Sequence, residues 1–522
     1  MRFTTLIKIV ALIMITVSGC SRSDPRPNIV FIMTDDHTRQ AISAYGSVLD
    51  VTPNIDRLAE GGMLFENASV TNSICAPSRA VILTGKHSHI NGKIDNTAGN
   101  IFDSTQVTFP KLLQSSGYQT AMVGKWHLGS QPAGFDFWSI LPGQGNYYNP
   151  EFITADGQVR IAGYVTDIIT DLAIGWLDGI DQKKPFLLMY QHKAPHREWE
   201  PAARHIKEYV RRTFPEPLTL FDTYEGRGTA AREAEMTILN HMNLAGDNKI
   251  LPEVMEELGI EPASNWDYRA LTSKFERYTP EQLAAWKEVY IPVNEEFKNK
   301  YPQMTQEELL SFRYQRYMQD YLACCAAVDE NIGRLLDWLE EKGLDENTMI
   351  VYTSDQGFYL GEHGWFDKRF MYSESLGIPL IIKWPGKVDP GSRNNDLVQN
   401  LDFAQTFLEA AGLEAGEEMQ GMSLVPLLLG KKIEWRDAIY YHYYEYPAVH
   451  MVKRHYGVMT ERYKLIHFYR DIDEWELYDL LEDPSEMNSL YDNPAYADVR
   501  EELKVRLREL REFYKDDTGE SF

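Results

Sequence analysis

Cysteine is scarce in this chain, which excludes a fold that depends on disulfide bonds. The 522 residues include four cysteines, two of which, Cys324 and Cys325, are adjacent. Small disulfide-rich folds need several spaced cysteines, so the fold must rest on a hydrophobic core, and a chain of this length can form a large one. With 43% hydrophobic and 25% charged residues, the composition is typical of a globular protein.

Positive charge is also in short supply. Lysine and arginine together number 52 against 77 aspartates and glutamates, so the formal net charge is −25. Proteins that bind nucleic acid need a basic face, which argues against nucleic acid as a partner. If the substrate is an anion, its pocket must be locally basic within an acidic protein.

Long apolar runs are missing beyond the N-terminal segment, so no membrane-spanning helix is predicted. Arg2 and Lys8 precede a short apolar stretch that ends in small residues before Cys20. This pattern indicates a signal peptide over residues 1–19, and it resembles a bacterial lipoprotein box. The resemblance implies that Cys20 is lipidated and that residues 20–26 form a tether. An ordinary signal peptide with an incidental cysteine is the alternative.

By this interpretation the protein is an exported bacterial lipoprotein. It would face the periplasm or lie at the cell surface, and only its lipid anchor would attach it to the membrane.

The stretch SICAPSRAVILTG, residues 73–85, predicts a turn that leads into a helix. Pro77 suits a first helical turn and Gly85 suits a helix end. Residues four apart share a helix face, so Cys75 and Arg79 point the same way, near a helix start that favours anions. A buried, inert thiol is the alternative interpretation of Cys75.

Four predicted strands deliver polar side chains at their carboxyl ends. These are Asp35 and Asp36, Lys125 and His127, His192 and His196, and Asp355 and Gln356. If the chain stays extended after Val123, Lys125 and His127 lie on one face. Each group could instead be an ordinary polar loop. For the two histidines, Pro195 argues against a helical metal site, and proton donation is the better use.

The carboxyl ends of parallel strands lie along one edge of a sheet, so these groups are expected to meet. Three carboxylates and one amide oxygen are hard ligands, which favours calcium or magnesium over zinc. The alternation of strands and helices predicts an α/β fold with a mainly parallel sheet flanked by helices. Residues 200–300 predict an irregular, partly helical excursion.

The composition of the sequence changes near Trp435, after which tyrosines and histidines are frequent. Alternation over residues 463–469 and a helical pattern over 497–514 predict a smaller C-terminal antiparallel sheet plus a helix. We therefore predict a catalytic domain over residues 27–434 and an α+β subdomain over residues 435–522.

Six segments together resemble the type I sulfatases of the alkaline-phosphatase-like superfamily. They are CAPSRAVILTG from Cys75, TDD at 34–36, GKWHLG from Gly124, KAPH ending at His196, SDQG at 354–357 and DKR at 367–369. They span most of the predicted catalytic region in the order expected of the family. The resemblance implies the alkaline-phosphatase-like fold, a sulfuric ester hydrolase activity and a sulfated substrate.

The resemblance further implies that a separate enzyme, either formylglycine-generating or an anaerobic sulfatase-maturing enzyme, oxidises Cys75 to formylglycine. One hydroxyl of the hydrated aldehyde would attack sulfur, and the other would then expel sulfate. Calcium would orient the hydrate and a sulfate oxygen. Its implied ligands are Asp35, Asp36, Asp355, Gln356 and the modified residue at Cys75. Asparagine is also common where Gln356 stands.

The remaining catalytic roles follow from the same resemblance. Arg79 would position the hydrate, Lys125 and Lys368 would hold sulfate oxygens, and His127 would assist the formylglycine. His196 best matches the histidine that protonates the leaving alcohol. His192 is the rival for that role.

Within the family, two segments are similar to the N-acetylglucosamine-6-sulfatases that act on glycosaminoglycans. They are GEHGWFDKRFMYSES from Gly361 and the stretch HMVKRHYGVMTERYKLIHFYRDIDEWELYDLLEDP from His450. The implied substrate is 6-O-sulfated glucosamine of heparin or heparan sulfate. Candidate sugar contacts, each of which could equally be a packing residue, are His363, Trp365, Arg369, Arg454 and His455.

Three alternatives remain open from sequence. The protein could be a sulfatase for another sulfated glycan, a phosphate or phosphonate ester hydrolase of the same superfamily, or a glycan-binding lipoprotein without activity. The set of Cys75, Arg79, Lys125 and Lys368 disfavours the last, because sugar binding needs no formylglycine site.

Overall fold

The computed structural model describes residues 26–261 and 265–519. The predicted signal peptide, the lipidation of Cys20 and most of the tether lie outside the described residues. Among the helices that are described, none is both long enough and apolar enough to cross a lipid bilayer.

The chain forms eighteen strands and fifteen α-helices. The strands are β1 (Asn28–Thr34), β2 (Met63–Phe65), β3 (Ala68–Ser69), β4 (Gln119–Lys125), β5 (Phe137–Leu141), β6 (Glu151–Thr154), β7 (Gly157–Arg160), β8 (Phe186–Gln191), β9 (Thr348–Ser354), β10 (Tyr359–Leu360), β11 (Phe366–Asp367), β12 (Leu380–Lys383), β13 (Ser392–Asn394), β14 (Val398–Gln399), β15 (Ala438–Tyr443), β16 (His455–Thr460), β17 (Tyr463–Phe468) and β18 (Glu474–Asp479), counted over the described ranges. The helices are α1 (Pro53–Glu60), α2 (Cys75–Thr84), α3 (Ser88–Asn91), α4 (Phe109–Ser115), α5 (Val165–Asp178), α6 (Ala203–Tyr209), α7 (Thr229–Glu233), α8 (Pro252–Glu257), α9 (Asn265–Phe275), α10 (Pro280–Lys300), α11 (Gln306–Glu341), α12 (Ser373–Leu376), α13 (Phe403–Ala410), α14 (Val425–Leu428) and α15 (Ala497–Phe513), again over those ranges.

A large sheet forms the centre of the molecule, with strand order β13-β2-β12-β9-β1-β8-β4-β5-β6-β7. The five central strands, from β9 to β5, run parallel, and antiparallel pairs occur toward both edges. The predicted α/β fold with a parallel centre is therefore confirmed. Because β1, β4, β8 and β9 run the same way, their carboxyl ends meet at one edge of the sheet.

Strand β1 separates two hydrophobic cores because its side chains alternate between the faces of the sheet. Ile29 and Phe31 pack with residues of α2, α4 and α13, whereas Val30 and Ile32 pack with residues of α1, α5 and α11. All four side chains are 0% exposed. Burial on both faces explains why this strand reads as a continuous apolar run.

The two longest helices begin where the sequence supplies complete caps. Thr279 and Gln282 form a capping box at the start of α10, and Thr305 and Glu308 form another at the start of α11. Each pair satisfies two backbone N–H groups that the first helical turn leaves free. Helices α6 to α10 make up much of residues 200–300, as the partly helical interpretation of that region predicted.

The C-terminal sheet, β15-β16-β17-β18, is antiparallel and packs against α15. Its core also takes in Val81 from α2. In addition, the hydroxyl of Tyr441 on β15 accepts a hydrogen bond of 3.2 Å from the Ser73 N–H, two residues before Cys75. The predicted small sheet and helix are confirmed, and they hold the start of α2 in place. The division at residue 434 stays a prediction.

The chain leaves the extended conformation at the end of β4, which corrects one prediction. Strand β4 ends at Lys125, and His127 has a left-handed φ of 58°. Lys125 and His127 therefore do not share a face through strand alternation. Just before this, Gly124 (φ 107°) lets β4 approach β8 so closely that a Cβ at this position would lie 1.8 Å from the Gln191 carbonyl oxygen.

Candidate active site

Helix α2 places Cys75 and Arg79 in the interior, at the edge where the parallel strands end. All ten residues of α2 are buried, and Gly85 terminates the helix with a left-handed φ of 62°. Cys75 is the first helical residue, so it lies among backbone N–H groups that have no helical acceptor. The predicted turn-to-helix structure is confirmed, and the two side chains are one helical turn apart.

Arg79 is fixed by three acceptors from three neighbouring strand ends. Its Nε donates to Asp355 Oδ2 at 2.9 Å, and its Nη1 donates to the Lys125 carbonyl oxygen at 2.6 Å and to Gln191 Oε1 at 2.9 Å. Nη2 is buried 4.0 Å from Asp35 Oδ1 and has no hydrogen-bond partner among the described residues. This last group is a donor available to a ligand beside Cys75.

Three aspartates after β1 and β9 form a compact group. Asp35, Asp36 and Asp355 are each 0% exposed, and one carboxylate oxygen of each lies within 4.8 Å of the others. Gln356 Nε2 donates to Asp355 Oδ1 at 2.6 Å and also to Asp36, so the amide group lies against both carboxylates.

This cluster has the chemistry of a site for a hard divalent cation. Asp35 Oδ1, Asp36 Oδ2 and Gln356 Oε1 are buried oxygens without a hydrogen-bond partner in the described structure. Buried oxygens are normally paired, so three unpaired oxygens on the side chains of this cluster fit the binding of a cation. Oxygen ligands of this kind suit calcium or magnesium. The predicted metal ligands therefore fit such an ion.

Two lysines bring positive charge to the same carboxylates. Lys125 Nζ donates to Asp35, and Lys368 Nζ donates to Asp36. Both lysines are at most 2% exposed. With Arg79 they balance the three carboxylates, so a bound divalent cation would give the site the positive charge that an anionic substrate needs.

The surroundings shift the pKa values of the carboxyl groups and of the Cys75 thiol in different directions. Burial opposes ionisation of Asp35, but Lys125, His196 and Arg79 hold its pKa well below the usual value. Burial, together with Asp35, raises the pKa of Asp355 to about 7. Burial also raises the pKa of the Cys75 thiol to about 11. At neutral pH an unmodified Cys75 is thus a neutral thiol, which is a poor nucleophile.

The structure separates the two candidate proton donors. The Cys75 sulfur, a ring nitrogen of His196 and an oxygen of Asp35 lie within 4.8 Å of one another. Buried His192 packs edge-on against Tyr190, and its ring nitrogens have no hydrogen-bond partner among described residues. Geometry therefore favours His196 as the acid.

Both histidines that remain near Cys75 carry a depressed pKa without substrate. Burial and then Lys125 lower the pKa of His196 well below its usual value, and the same two causes lower the pKa of His127. A bound sulfate ester brings negative charge, which favours the protonated imidazole. His127 lines a cavity together with Ala76, the residue after Cys75, and its Nδ1 is buried without a partner among described residues.

Sequence comparison now identifies the family. A sequence model described as "Sulfatase" matches residues 27–413, which is most of the chain. This chain belongs to the sulfatase family. A second model, described as "N-sulphoglucosamine sulphohydrolase, C-terminal", matches residues 361–513 of the sulfatase. Formylglycine and a divalent metal ion are typical of this family.

Three relatives of the sulfatase are informative about its activity. It is 50% identical to an N-acetylglucosamine-6-O-sulfatase of Bacteroides thetaiotaomicron, over 98% of this chain and 91% of the relative. It is 27% identical to the human N-acetylglucosamine-6-sulfatase, over 83% of this chain and 71% of the relative. A solved structure described as a complex with its substrate D-glucosamine-2-N,6-O-disulfate matches with a TM-score of 0.89 and 50% identity, over 94% of this chain and 99% of that one.

Three of the predicted sugar contacts are packing residues, which corrects the prediction. His363 and Trp365 are 0% exposed and lie in an aromatic core, where Trp365 stacks on Tyr224. The ring nitrogens of His455, also 0% exposed, bond the Met371 N–H and the Lys453 carbonyl oxygen. Neighbouring side chains surround all three, so each has the packing role that the sequence had left open.

The two arginines among the predicted sugar contacts stay predictions. Arg369 forms an ion pair with Asp367 and is 6% exposed. Arg454 is half-buried and pairs with Asp471 at 2.7 Å. Arg369 adjoins Lys368, which places it next to the charge cluster.

Sequence reasoning assigned no role to four residues that support or border the site. Gln191 holds Arg79, and Gln144 accepts a hydrogen bond from Lys125. His450 Nε2 lies 3.3 Å from Asp367 Oδ2, which ties the C-terminal subdomain to the loop that carries Lys368. Gln191, as the last residue of β8, was detectable as another polar strand end. Asp367 and His450 each begin a segment that carries the family resemblance, which signalled them without a role, and nothing local in the sequence marked Gln144.

Proposed function

We propose that this sulfatase hydrolyses the 6-O-sulfate of N-acetylglucosamine or N-sulfoglucosamine in heparin or heparan sulfate. The observation that carries the proposal is the joint presence of Cys75, Arg79, two lysines and three clustered carboxylates in one buried site. Two relatives, each 50% identical to this chain, support glucosamine as the sugar and the 6-position as the site of the sulfate. One is named for that activity, and the other is a structure in complex with that kind of substrate.

Two groups that the family uses complete the site in this proposal. Formylglycine made from Cys75 supplies a hydrated aldehyde, with one hydroxyl to take up the sulfuryl group and a second to release it as sulfate. Calcium supplies charge for the sulfate oxygens and would be held by Asp35, Asp36, Asp355 and Gln356.

The chain's own residues then bind, orient and protonate the substrate. Arg79 keeps residue 75 and the Asp355 carboxylate in a fixed relation. Lys125 and Lys368 place their ammonium groups where a sulfate ester would lie, and this positive charge stabilises the charge that develops on its oxygens. His196 donates a proton to the sugar oxygen as the sulfur–oxygen bond breaks, so that the sugar leaves as an alcohol.

Glucosamine saccharides that carry one sulfate at a known position test this proposal. We expect the matured protein to release sulfate from the 6-O-sulfated sugar at least ~100-fold faster than from 2-O- or 3-O-sulfated analogues, because a misplaced ester misses the reacting geometry. Rates on the same sugar with a 6-phosphate in place of the 6-sulfate distinguish a sulfatase from the alternative of a phosphate ester hydrolase. Faster phosphate release, or a preference for another sulfate position, would contradict the proposal.

His196→Ala tests the proton donor. Loss of a general acid lowers turnover of the sugar sulfate by about 10²- to 10⁴-fold. Turnover of an aryl sulfate falls much less, since a phenolate leaves without a proton. Initial rates on both substrates give the two ratios. The control is His192→Gln. Its rate relative to the wild-type rate is expected to be the same on the sugar sulfate and on the aryl sulfate. An equal loss on both substrates in His196→Ala would remove His196 from the acid role.

We also propose that residues 1–19 direct export and that Cys20 carries the lipid anchor. The support is the sequence pattern of charged, apolar and small residues before Cys20. Such a location would place the sulfatase where extracellular glycan fragments arrive.

A further inference from the structure

A cavity of about 700 Å³ opens beside His196. Its lining includes Gln144, which bonds Lys125, and His196, whose Nε2 lies 3.8 Å from Asp36 Oδ2. The cavity therefore adjoins the charge cluster on the side where the proton donor stands. Its volume is in the range of sites that hold a small organic ligand.

Two partly buried cations in the cavity wall are already neutralised by neighbouring carboxylates. Arg197 forms a two-pronged pair with Asp247, with distances of 2.8 and 2.6 Å. Lys274 Nζ lies 2.6 Å from Glu198 Oε2 and 3.1 Å from Glu200 Oε1. These cations have structural partners, so neither is free to bind a ligand at full strength.

Lys193 differs from these neighbours. It lines the same cavity and is 4% exposed, and its ammonium lies 4.5 Å from the centre of the Tyr147 ring. Within residues 26–261 and 265–519 it has no hydrogen-bond acceptor and no ion-pair partner. The ammonium is not one of the fully buried polar atoms, although burial of the side chain lowers the pKa of Lys193 to about 8.

We propose that Lys193 binds a second anionic group of the substrate, a sulfate or a carboxylate, on the side of the leaving sugar. The inference rests on the proposed function, in which His196 protonates the leaving oxygen. Because His196 lies in the wall of this cavity, the sugar that leaves must occupy or border it. The ammonium of Lys193 then supplies a charge-assisted hydrogen bond to an anion on that sugar or on the next one.

Two sources of the anion can be separated by binding measurements on the Cys75→Ala chain, which cannot turn over its ligand. The ligands are N-acetylglucosamine 6-sulfate, glucosamine 2-N,6-O-disulfate, and N-acetylglucosamine 6-sulfate joined to a uronic acid. We expect the disulfate or the uronic acid conjugate to bind about 10-fold more tightly than the first ligand, and Lys193→Met to remove that advantage. Which ligand loses affinity identifies the source.

Matched variants make the outcome specific. Lys193→Arg should retain the advantage, because it keeps the charge. Arg160→Gln removes an exposed cation from the same cavity wall, and it should leave the ratio within about 2-fold. Equal weakening of all three ligands by Lys193→Met, or no weakening of any, would overturn the inference.

The wild-type matured protein separates failure of this inference from failure of the proposed function. If it releases 6-O-sulfate while Lys193→Met leaves the ratio of kcat/KM between doubly and singly charged substrates unchanged, the second anion site alone is wrong. If it releases no 6-O-sulfate from any of these ligands, the proposed function fails, and the inference fails with it.

Discussion

Cys75→Ala is expected to abolish sulfate ester hydrolysis, with kcat reduced by at least about 10⁴-fold, as removal of a catalytic nucleophile does in other hydrolases. Alanine carries neither a thiol nor a precursor of formylglycine, so the site retains its charges but has no group to accept the sulfuryl unit. Initial rates of sulfate release from 6-O-sulfated glucosamine, with both proteins produced alongside a maturation enzyme, give the comparison.

A second buried cysteine provides the control for this substitution. Cys325 lies in α11 and is 1% exposed, and Cys325→Ala removes a thiol of equal size from the core opposite α2. It should keep kcat within about 2-fold, because none of the residues with a proposed catalytic role is among its interaction partners. Mass analysis of the peptide around Cys75 shows whether the wild-type residue was converted. Full turnover in Cys75→Ala would refute the catalytic assignment.

Calcium added to metal-depleted protein is expected to raise the unfolding temperature by roughly 3 °C at one hundred times its dissociation constant. The physical reason is that an ion relieves the repulsion among Asp35, Asp36 and Asp355 and satisfies the orphaned oxygens beside them. Asp36→Ala should remove the calcium-dependent shift. It should also lower kcat at least ~100-fold, since the charge at the sulfate site is lost.

Asp329 offers a matched buried carboxylate outside the site. It is 4% exposed, and it accepts hydrogen bonds from the backbone N–H groups of Asn54 and Ile55 at the start of α1. Asp329→Asn changes stability without touching the cluster, so the calcium-dependent shift should persist. A shift that survives Asp36→Ala, or one that disappears in Asp329→Asn, would contradict the proposed ligand set.

Much of the site was predictable because its parts are local. The four-residue spacing of Cys75 and Arg79 places them on one helix face in any fold. The metal ligands follow two strands that are recognisable in the sequence as apolar runs; they are Asp35, Asp36, Asp355 and Gln356. Parallel strands bring their carboxyl ends together at one edge of the sheet. The alternation of strands and helices likewise predicted the parallel centre of the sheet.

Predictions that depended on conformation or on burial fared worse. His127 could not be placed by strand alternation, because the chain turns into a left-handed residue there. His363, Trp365 and His455 have the chemistry of sugar contacts, yet packing encloses them. A polar or aromatic side chain serves a core or a ligand equally well, and only its surroundings distinguish the two.

The sequence by itself determined the chemical groups of this protein: the cysteine and arginine of one helix, the oxygen ligands at strand ends, and the family to which they belong. The tertiary structure decided which of two histidines stands beside Cys75, which arginines already have partners, and that Lys193 has no ion-pair partner in the described part of the chain. Those properties depend on distances between segments far apart in the chain, and burial in a common interior sets their energies.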